Sequence, residues 1–478
     1  MKKGEGIYNV VAVGAGTAGL VTAAGTAGLG GRVALIERNL MGGDCLNFGC
    51  VPSKALISSA RLIQQIREAE KWGLDGQEPQ FVFENVFERM RARRGKIAPN
   101  DSQQRFESLG VDVFRGEARF VSPYEIEVDG QSLRAKNFVI ASGSHATVPK
   151  IEGIENVPYF TNETIFDRLK GKPESMIVLG GGPIGCELGQ AFSRLGVTVT
   201  IVQHDTQLLP REDVDVVEFM QKRFTEEGIR VRLKAAASRV SMRDGKVALE
   251  FADGDSITAA AMLIAAGRTP NLRALNLEAA GVDYDLRGVK VNAYLQTSQM
   301  HIYAAGDITS QLKFTHTADF TARIVVRNIL MPFQFLRQKI DWSVVPWCTY
   351  TDPEVAHVGL SEKEAKQKNE YDLFVVPLED VDRAVVESEE AGFAKILAAK
   401  GSDKILGATI VAPHAGDLLH EFVLAMSAKI GLGKIASTIH AYPTFAELAR
   451  KAGDKYNRTR LTPRAKKIFT WLYERARK

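Results

Sequence analysis

A short pattern of strand, glycine turn and helix occurs twice in this chain and constrains its fold more than any other feature. Apolar runs at residues 8–13 and 175–179 each precede a G-x-G-x-x-G segment, and each is followed by a helical stretch and a second apolar run. The glycines are Gly14, Gly16 and Gly19 in the first copy, and Gly180, Gly182 and Gly185 in the second. In such a segment the glycines allow a tight turn, close approach of a diphosphate to the backbone, and close helix packing. The pattern predicts two Rossmann-like units; the alternative is that the glycines serve packing alone.

The residue that ends the second strand differs between the two copies. Glu37 lies 23 positions after Gly14, where a carboxylate can accept hydrogen bonds from a ribose diol. The equivalent position in the second copy is Gln203, followed by His204, and the nearest following cation is Arg211. Because no carboxylate stands at that position to repel a 2′-phosphate, the second site is expected to accept NADPH as well as NADH.

Length, charge and cysteine content narrow the class of protein. A chain of 478 residues corresponds to roughly three domains. Four cysteines are too few for a secreted disulfide scaffold, and we recognise no signal peptide and no apolar run long enough to cross a membrane. A net charge of +4 does not indicate a nucleic-acid-binding protein. We therefore expect a cytoplasmic protein, in which a cysteine pair is more often catalytic than structural.

Two cysteines, Cys45 and Cys50, flank four residues in the segment 42–54. Pro52 occupies a position typical of a first helical turn, so Cys50 is expected at a helix N-terminus, where the helix dipole stabilises a thiolate. Lys54, one turn further along, would add positive charge. The alternatives are a structural disulfide or two buried thiols.

The cysteine segment resembles the redox motif of the class I pyridine nucleotide-disulfide oxidoreductases, which include dihydrolipoamide dehydrogenase, glutathione reductase and mercuric reductase. Further stretches that resemble this family lie along most of the chain, at 141–144, 182–187, 266–271, 302–307 and 350–360. The resemblance implies FAD and a nicotinamide nucleotide as cofactors. It also implies an α/β fold with two Rossmann-like nucleotide-binding domains and a C-terminal α+β dimerisation domain that forms a homodimer. The implied boundaries are 1–152 and 275–342 for the FAD-binding domain, 153–274 for the NAD(P)-binding domain, 343–458 for the dimerisation domain and 459–478 for a tail.

The resemblance also implies roles for individual residues. Hydride passes from NADPH or NADH to the flavin, the reduced flavin attacks the disulfide through Cys50, and Cys45, expected to be the more accessible sulfur, exchanges with substrate. Glu187 pairs with Lys54 on the flavin side, and Asp307 binds the ribityl chain. The remaining implied cofactor contacts, besides the glycine turns, Glu37, Gln203 and His204, are Gly43, Ser142, Gly143, Gly267 and Arg268.

The chain departs from its disulfide-reducing relatives near the C-terminus. Those relatives carry a His-Pro-Thr-x-x-Glu stretch whose histidine moves the thiol proton, whereas this chain has Tyr442 in place of the histidine and keeps Glu447. A phenol is a poor base near neutral pH. His440, two residues earlier, is an alternative proton carrier, and the competing interpretation is a loop histidine bonded to backbone. Mercuric reductase resembles this chain in having the tyrosine, but its C-terminal cysteine pair is missing here.

The last residues form a basic segment. Residues 451–478 contain ten Lys and Arg against two acidic residues. Thr462 and Pro463 favour a helix start, and one face of the helix would carry Ala465, Ile468, Phe469, Leu472 and Ala476. Such a helix can lie on an anionic membrane surface or dock a partner; the alternative is packing on the dimer surface.

The favoured function is an FAD-dependent NAD(P)H:disulfide or dithiol oxidoreductase whose substrate is a disulfide, a lipoyl group or a thiol-bound metal. One alternative is a flavin diaphorase that reduces a quinone at a membrane surface, and another is a docked binding module with little turnover. No cluster of His, Cys, Asp and Glu has metal-ligand spacing, so no resident metal site is expected.

Overall fold

The computed structural model describes residues 3–309, 312–368 and 370–477, which form two compact units. The first unit contains the described residues up to Ala60, together with 80–206 and 228–341. The second contains 61–79, 207–227 and the residues from Trp342 onward.

The described part of the chain contains both helices and strands throughout. The α-helices are α1 Thr17–Gly28, α2 Gly43–Asn47, α3 Cys50–Arg67, α4 Phe83–Ile97, α5 Gln103–Ser108, α6 Asn162–Arg168, α7 Pro183–Arg194, α8 Val214–Glu226, α9 Thr315–Leu330, α10 Glu362–Lys368, α11 Asp382–Val386, α12 Ala415–Leu418, α13 His420–Ser427, α14 Leu432–Ala436, α15 Glu447–Thr459 and α16 Pro463–Ala476. The strands are β1 Ile7–Val13, β2 Val33–Glu37, β3 Val111–Arg115, β4 Ala118–Ser122, β5 Glu125–Val128, β6 Gln131–Ile140, β7 Ser144–Ala146, β8 Ser175–Leu179, β9 Thr198–Val202, β10 Arg230–Arg232, β11 Ala237–Arg243, β12 Lys246–Phe251, β13 Ser256–Ala259, β14 Ala261–Ile264, β15 Arg268–Pro270, β16 Tyr284–Asp285, β17 Gly288–Val289, β18 Ile302–Ala304, β19 Trp347–Thr349, β20 Glu354–Gly359, β21 Tyr371–Pro377, β22 Phe393–Ala399 and β23 Ile405–Ala412.

The first unit contains the two predicted nucleotide-binding sheets. One is built on the parallel strands β3-β2-β1-β6, and β18 pairs with the end of β6, so a distant strand returns to the first sheet. The other has the parallel order β10-β9-β8-β14, with Val178 opposite Ile201. Strands β2 and β14 are buried throughout, as expected for parallel strands covered on both faces. The predicted α/β fold class is confirmed.

The two glycine turns have the same geometry, which explains why both copies need glycine at the same places. Gly14 has a φ of +103°, and a Cβ on Gly19 would lie 1.7 Å from the Gly14 carbonyl oxygen. In the second copy Gly180 has a φ of +119°, and a Cβ on Gly185 would lie 1.9 Å from the Gly180 oxygen. Neither following helix has a side-chain N-cap, so its first backbone N–H groups remain available to a diphosphate.

The second unit is built on an antiparallel sheet in the order β19-β20-β23-β22-β21, with helices that include α13 and α15 packed against it. The domain boundaries drawn from the sequence did not anticipate that 61–79 and 207–227 belong to this unit. Ion pairs account for this placement: Lys395, only 2% exposed, lies 2.8 Å from Asp215 and 3.0 Å from Asp213. Arg61 similarly lies 3.6 Å from Asp352.

The predicted C-terminal helix is present as α16. The Thr462 hydroxyl caps it by accepting a hydrogen bond from the Ala465 backbone N–H at 3.2 Å, and none of its residues is buried. Across the described part of the chain, no helix is both long enough and apolar enough to span a membrane.

Candidate active site

The structure brings the two cysteines of the redox segment into contact. Cys45 lies in the short helix α2, and Cys50 is the first residue of α3. Both are free thiols, and the Cys45 thiol donates a hydrogen bond to the Cys50 sulfur. The Cys50 sulfur also lies 3.3 Å from the Thr315 hydroxyl. The two free cysteines therefore lie side by side at the start of α3.

The two thiols have very different acidities. The hydrogen bond from Cys45 lowers the pKa of Cys50 to about 6; Thr315 and the positive charge of Lys54 lower it further, against an opposing effect of burial. The same hydrogen bond, together with burial, raises the pKa of Cys45 well above its usual range. Cys50 is consequently the thiolate at neutral pH and Cys45 the proton donor.

The two cysteines differ in their surroundings. Cys50, the first residue of α3, is exposed, and Cys45 in α2 is half-buried. That Cys45 is the sulfur that exchanges with substrate stays a prediction.

A buried ion pair lies on the helix that carries Cys50. Lys54 Nζ is 2.7 Å from Glu187 Oε2, and Glu187 on α7 is only 5% exposed. This is the pairing that the family resemblance implied for the flavin side. Because Glu187 is almost fully buried, it holds the lysine chain in one position and keeps the positive charge near Cys50.

The loop between the cysteines is held by residues that the sequence analysis missed. Arg94 on α4 donates a hydrogen bond of 3.0 Å to the Asn47 carbonyl and forms a two-pronged ion pair with Asp167 at 2.7 and 3.0 Å. The Asn162 amide donates to the Phe48 carbonyl at 3.1 Å. No sequence signal marked either residue, because arginine and asparagine are common on helices and neither belongs to a recognisable motif.

The acidic residue before Cys45 is held in a similar way. Arg268 lies 3.2 Å from Asp44 and 3.6 Å from Asp307, and it donates a hydrogen bond of 2.8 Å to the Ser144 hydroxyl. Ser144 in turn donates to Asp307 at 2.6 Å. Burial raises the pKa of Asp44, and the Arg268 guanidinium opposes that rise. Arg268 thus joins the redox segment to the aspartate implied in flavin binding.

The first glycine turn has the features that a dinucleotide needs. Glu37, 8% exposed, accepts hydrogen bonds of 2.6 Å from the backbone N–H groups of Ala15 and Asn39, which places its carboxylate at the turn. Gly43 has a φ of +59°, and a Cβ there would lie 2.5 Å from the Gly16 Cα. The absence of side chains at Gly16 and Gly43 keeps α2 close to the turn. These residues fit FAD, with Glu37 at the ribose and the N-terminus of α1 at the diphosphate.

The other residues implied in cofactor binding lie where the segment after β6 meets the segment around β15. Ser142 donates to the Asn271 carbonyl at 3.0 Å, and the Asn271 amide donates back to the Ser142 carbonyl at 2.8 Å. Gly143 and Gly267 have φ values of +69° and +116°, which glycine adopts readily. The two hydrogen bonds between Ser142 and Asn271 therefore join the segment after β6 to the segment after β15.

The second glycine turn carries an acid that the sequence analysis overlooked. Gln203 accepts from the Gly181 N–H at 3.1 Å, in the same way that Glu37 accepts from Ala15. Its amide donates to Asp205 at 3.1 Å, and His204 Nε2 lies 3.3 Å from the same carboxylate. The chain turns after β9 and places the Asp205 carboxylate beside Gln203, a neighbour that the sequence analysis did not consider. That the site accepts NADPH as well as NADH is compatible with the family assignment given below.

The C-terminal candidates lie in the second unit and are engaged with neighbours there. Both ring nitrogens of His440 have oxygen partners, the Thr438 carbonyl at 2.9 Å and Glu421 at 3.0 Å. The Tyr442 hydroxyl is largely exposed and donates to Asp382 at 3.0 Å, and this carboxylate raises the pKa of Tyr442. Glu447 is buried and lies 2.9 Å from Arg450.

The described residues contain no group of three or more His, Cys, Asp and Glu side chains that could hold a metal ion.

Comparison with known proteins gives consistent matches over most of the chain. The family model described as pyridine nucleotide-disulphide oxidoreductase matches residues 8–322, and the dimerisation domain of the same family matches 345–452. A mercuric reductase of Bacillus cereus is 35% identical over 447 residues, which covers 92% of this chain and 70% of the relative. A dihydrolipoyl dehydrogenase of Chlamydia trachomatis is 34% identical over 450 residues and covers 92% and 95% of the two chains.

Solved structures agree with these sequence relatives. The Cu(II) complex of the HOCl-induced flavoprotein disulfide reductase RclA from Escherichia coli superimposes with a TM-score of 0.85 at 26% identity, covering 94% of this chain and 99% of that chain. LpdA from Mycobacterium tuberculosis gives a TM-score of 0.86 at 26% identity, with coverage of 94% and 100%. The match to the dimerisation domain supports a homodimer. The chain therefore belongs to the pyridine nucleotide-disulphide oxidoreductase family and is an FAD-dependent oxidoreductase that uses NADH or NADPH.

Proposed function

We propose that this enzyme passes electrons from NADPH or NADH through FAD to the Cys45–Cys50 pair, and from there to a soft metal ion held by thiolate sulfur. FAD supplies the site that accepts hydride and passes electrons on. The observation that carries the proposal is the cysteine pair itself: Cys50 begins α3 beside Cys45, which lowers the pKa of Cys50 to about 6.

The residues near the pair support electron exit through sulfur. Lys54, fixed by Glu187 at 2.7 Å, places positive charge where Cys50 carries negative charge. Arg94 and Asn162 hold the loop between the cysteines, which keeps the two sulfurs within reach of each other whether or not they are bonded.

The C-terminal residues favour a metal ion over a disulfide as substrate. Reduction of a disulfide needs a group that donates a proton to the leaving thiolate, and Asp382 raises the pKa of Tyr442, which makes its hydroxyl a weaker proton donor. Both ring nitrogens of His440 already have oxygen partners. Reduction of a metal ion bound by two thiolates needs electrons but no proton. The replacement of the histidine by Tyr442 therefore does not impede this reaction. In the proposed homodimer, Tyr442 of one subunit would lie beside the cysteine pair of the other.

Relatives point to the same substrate class. Several of the related chains are mercuric reductases, and RclA forms a Cu(II) complex. For this chain Hg(II) and Cu(II) are accordingly the first ions to test. A lipoyl group or a small disulfide is the second candidate, favoured by the dihydrolipoyl dehydrogenase relatives. A cytoplasmic location is part of this proposal and follows from the sparse cysteines.

The test is anaerobic reduction of the FAD-loaded enzyme with NADPH or NADH, followed by reoxidation with thiol-bound Hg(II), Cu(II), lipoamide, oxidised glutathione or a quinone. We expect a metal ion to reoxidise the native enzyme quickly and the Cys45→Ser variant at least a hundredfold more slowly. Cys348→Ser is the matched control, because this half-buried cysteine lies elsewhere and its thiol contacts Glu354. Fast reoxidation by lipoamide, which is itself reduced to the dithiol, would assign a disulfide as the substrate in place of a metal ion. Equal reoxidation of both proteins by the quinone alone would show that electrons leave directly from the flavin and would refute the proposal.

A further inference from the structure

The tail helix, α16 at Pro463–Ala476, has no buried residue and carries an exposed apolar face. Along a helix of 3.6 residues per turn, Ile468, Phe469 and Leu472 fall on one side. Their exposed fractions are 58%, 49% and 47%, large values for residues of this size. A helix of 14 residues is marginal on its own in water, so this face needs a covering surface to be stable.

The charges of the tail helix limit what that surface can be. Arg464, Lys466, Lys467 and Arg475 oppose a single acid, Glu474. A second copy of the helix would bring the same positive charge against it, which is unfavourable. An acidic surface, by contrast, complements the positive charge of the tail helix.

The aromatic residues of the tail helix lie where its apolar and basic faces meet. Trp471 and Tyr473 flank the apolar side, one on each edge, and are 54% and 70% exposed. The Arg475 guanidinium lies 5.5 Å from the Trp471 ring centroid. Aromatic rings with one apolar and one polar end favour the boundary between hydrocarbon and water.

From these three features we propose that the tail helix binds the surface of an anionic lipid bilayer, with Ile468, Phe469 and Leu472 in the outer hydrocarbon and the cations at the phosphate groups. This assigns the protein a lipid-binding site in addition to its redox site. The helix lies on the membrane and does not cross it, consistent with the absence of a spanning helix among the described residues.

The experiment is flotation of the full-length, FAD-loaded protein with vesicles of phosphatidylcholine alone or of phosphatidylcholine with 30% phosphatidylglycerol. We expect binding to the anionic vesicles only, with most of it lost when NaCl is raised from 0.1 to 0.5 M. The variant Lys466→Gln/Lys467→Gln should bind about 30-fold more weakly, which corresponds to about 1 kcal/mol per cation near an anionic surface. Phe469→Ser/Leu472→Ser should lose binding to a similar or greater extent.

The control removes the same charge elsewhere: Lys136→Gln/Lys150→Gln changes two exposed lysines of the first unit and should bind like the native protein. NADPH oxidation in the absence of lipid should be equal in all four proteins, which separates this proposal from the redox function. Equal binding to neutral vesicles, or equal weakening by the control pair, would overturn the proposal. A change in oligomeric mass caused by the tail variants, without lipid-dependent flotation, would also overturn it and would assign the face to a second copy of the chain.

Discussion

Replacing Arg94 by glutamine is expected to loosen the loop between the two cysteines and to slow electron transfer from the flavin to the disulfide. The guanidinium makes one hydrogen bond of 3.0 Å to the Asn47 carbonyl, inside that loop, and two bonds to Asp167. The Asp167 side chain is 43% exposed, so solvent reduces the ion pair to roughly 0.5–1 kcal/mol. The charged bond to the carbonyl contributes about 1.5 kcal/mol. Together the loss is about 2 kcal/mol of stability.

Only the hydrogen bond from Arg94 to the loop determines how much the substitution slows reduction of the disulfide. About 1.5 kcal/mol favours the observed loop conformation through Asn47, and 1.4 kcal/mol corresponds to tenfold in rate. We therefore expect stopped-flow reduction of the disulfide by NADPH to slow by up to about tenfold. Asp167→Asn should have a smaller effect, because the bond from Arg94 to the loop remains possible.

The matched control is Arg89→Gln. Arg89 lies on the same helix and donates to the Ala55 carbonyl and the Ser59 hydroxyl, so it contacts α3 and not the loop. It should lower the thermal midpoint by a similar amount and leave the reductive step within twofold of native. If Arg94→Gln and Arg89→Gln lower stability equally and neither slows the step, the reasoning about the loop is refuted.

The ion pair between Arg94 and Asp167 should also make the stability of the protein depend on pH. Because the Arg94 guanidinium lowers the pKa of Asp167 below its ordinary 3.8, the carboxylate contributes stability that is present at neutral pH. That contribution is lost only as pH falls through the depressed value. The stability difference between native and Arg94→Gln protein should therefore be constant from pH 8 to 5 and should shrink on further acidification.

Three further predictions concern the thiol, the first glycine turn and nucleotide choice. Alkylation of the reduced enzyme at Cys50 should rise with pH around a midpoint of about 6 and level off by neutrality, because that is the pKa of its thiol; a rate still rising steeply at pH 8 would contradict the assigned thiolate. Gly19→Ala should lose bound FAD and several degrees of thermal midpoint because its Cβ would overlap the Gly14 carbonyl, whereas Gly28→Ala at the end of the same helix meets nothing within 4 Å and should be neutral or slightly stabilising. Asp205→Asn removes the carboxylate beside Gln203 and should raise the ratio of kcat/KM for NADPH over NADH about fivefold, roughly 1 kcal/mol for a half-exposed charge; an unchanged ratio would place the 2′-phosphate elsewhere.

Features set by local geometry could be predicted from the sequence. The two glycine turns follow from spacing, since a tight turn and a close helix require glycine at Gly14 and Gly19 whatever surrounds them. The start of α16 at Thr462 followed from capping rules, and the structure shows the expected cap. The position of Cys50 at a helix N-terminus followed from Pro52 in the same way.

Pairings between distant parts of the chain were decided by tertiary structure alone. Arg94 donates a hydrogen bond to the carbonyl of Asn47, which lies 47 residues away in the chain, and no sequence motif predicts this contact. Asp205 returns to Gln203 only because of the turn that follows β9.

The acidity of the two thiols belongs to the same category. Spacing predicted a reactive pair, but the pKa of Cys50 depends on Thr315, which the folded chain brings within 3.3 Å of its sulfur. The sequence by itself determined where the backbone must turn, start a helix or approach a diphosphate, because those constraints act over a few residues. The tertiary structure determined which charged groups, hydrogen-bond donors and apolar side chains surround each reactive group. Hydrogen bonds and burial depend on distance in space and not on distance along the chain.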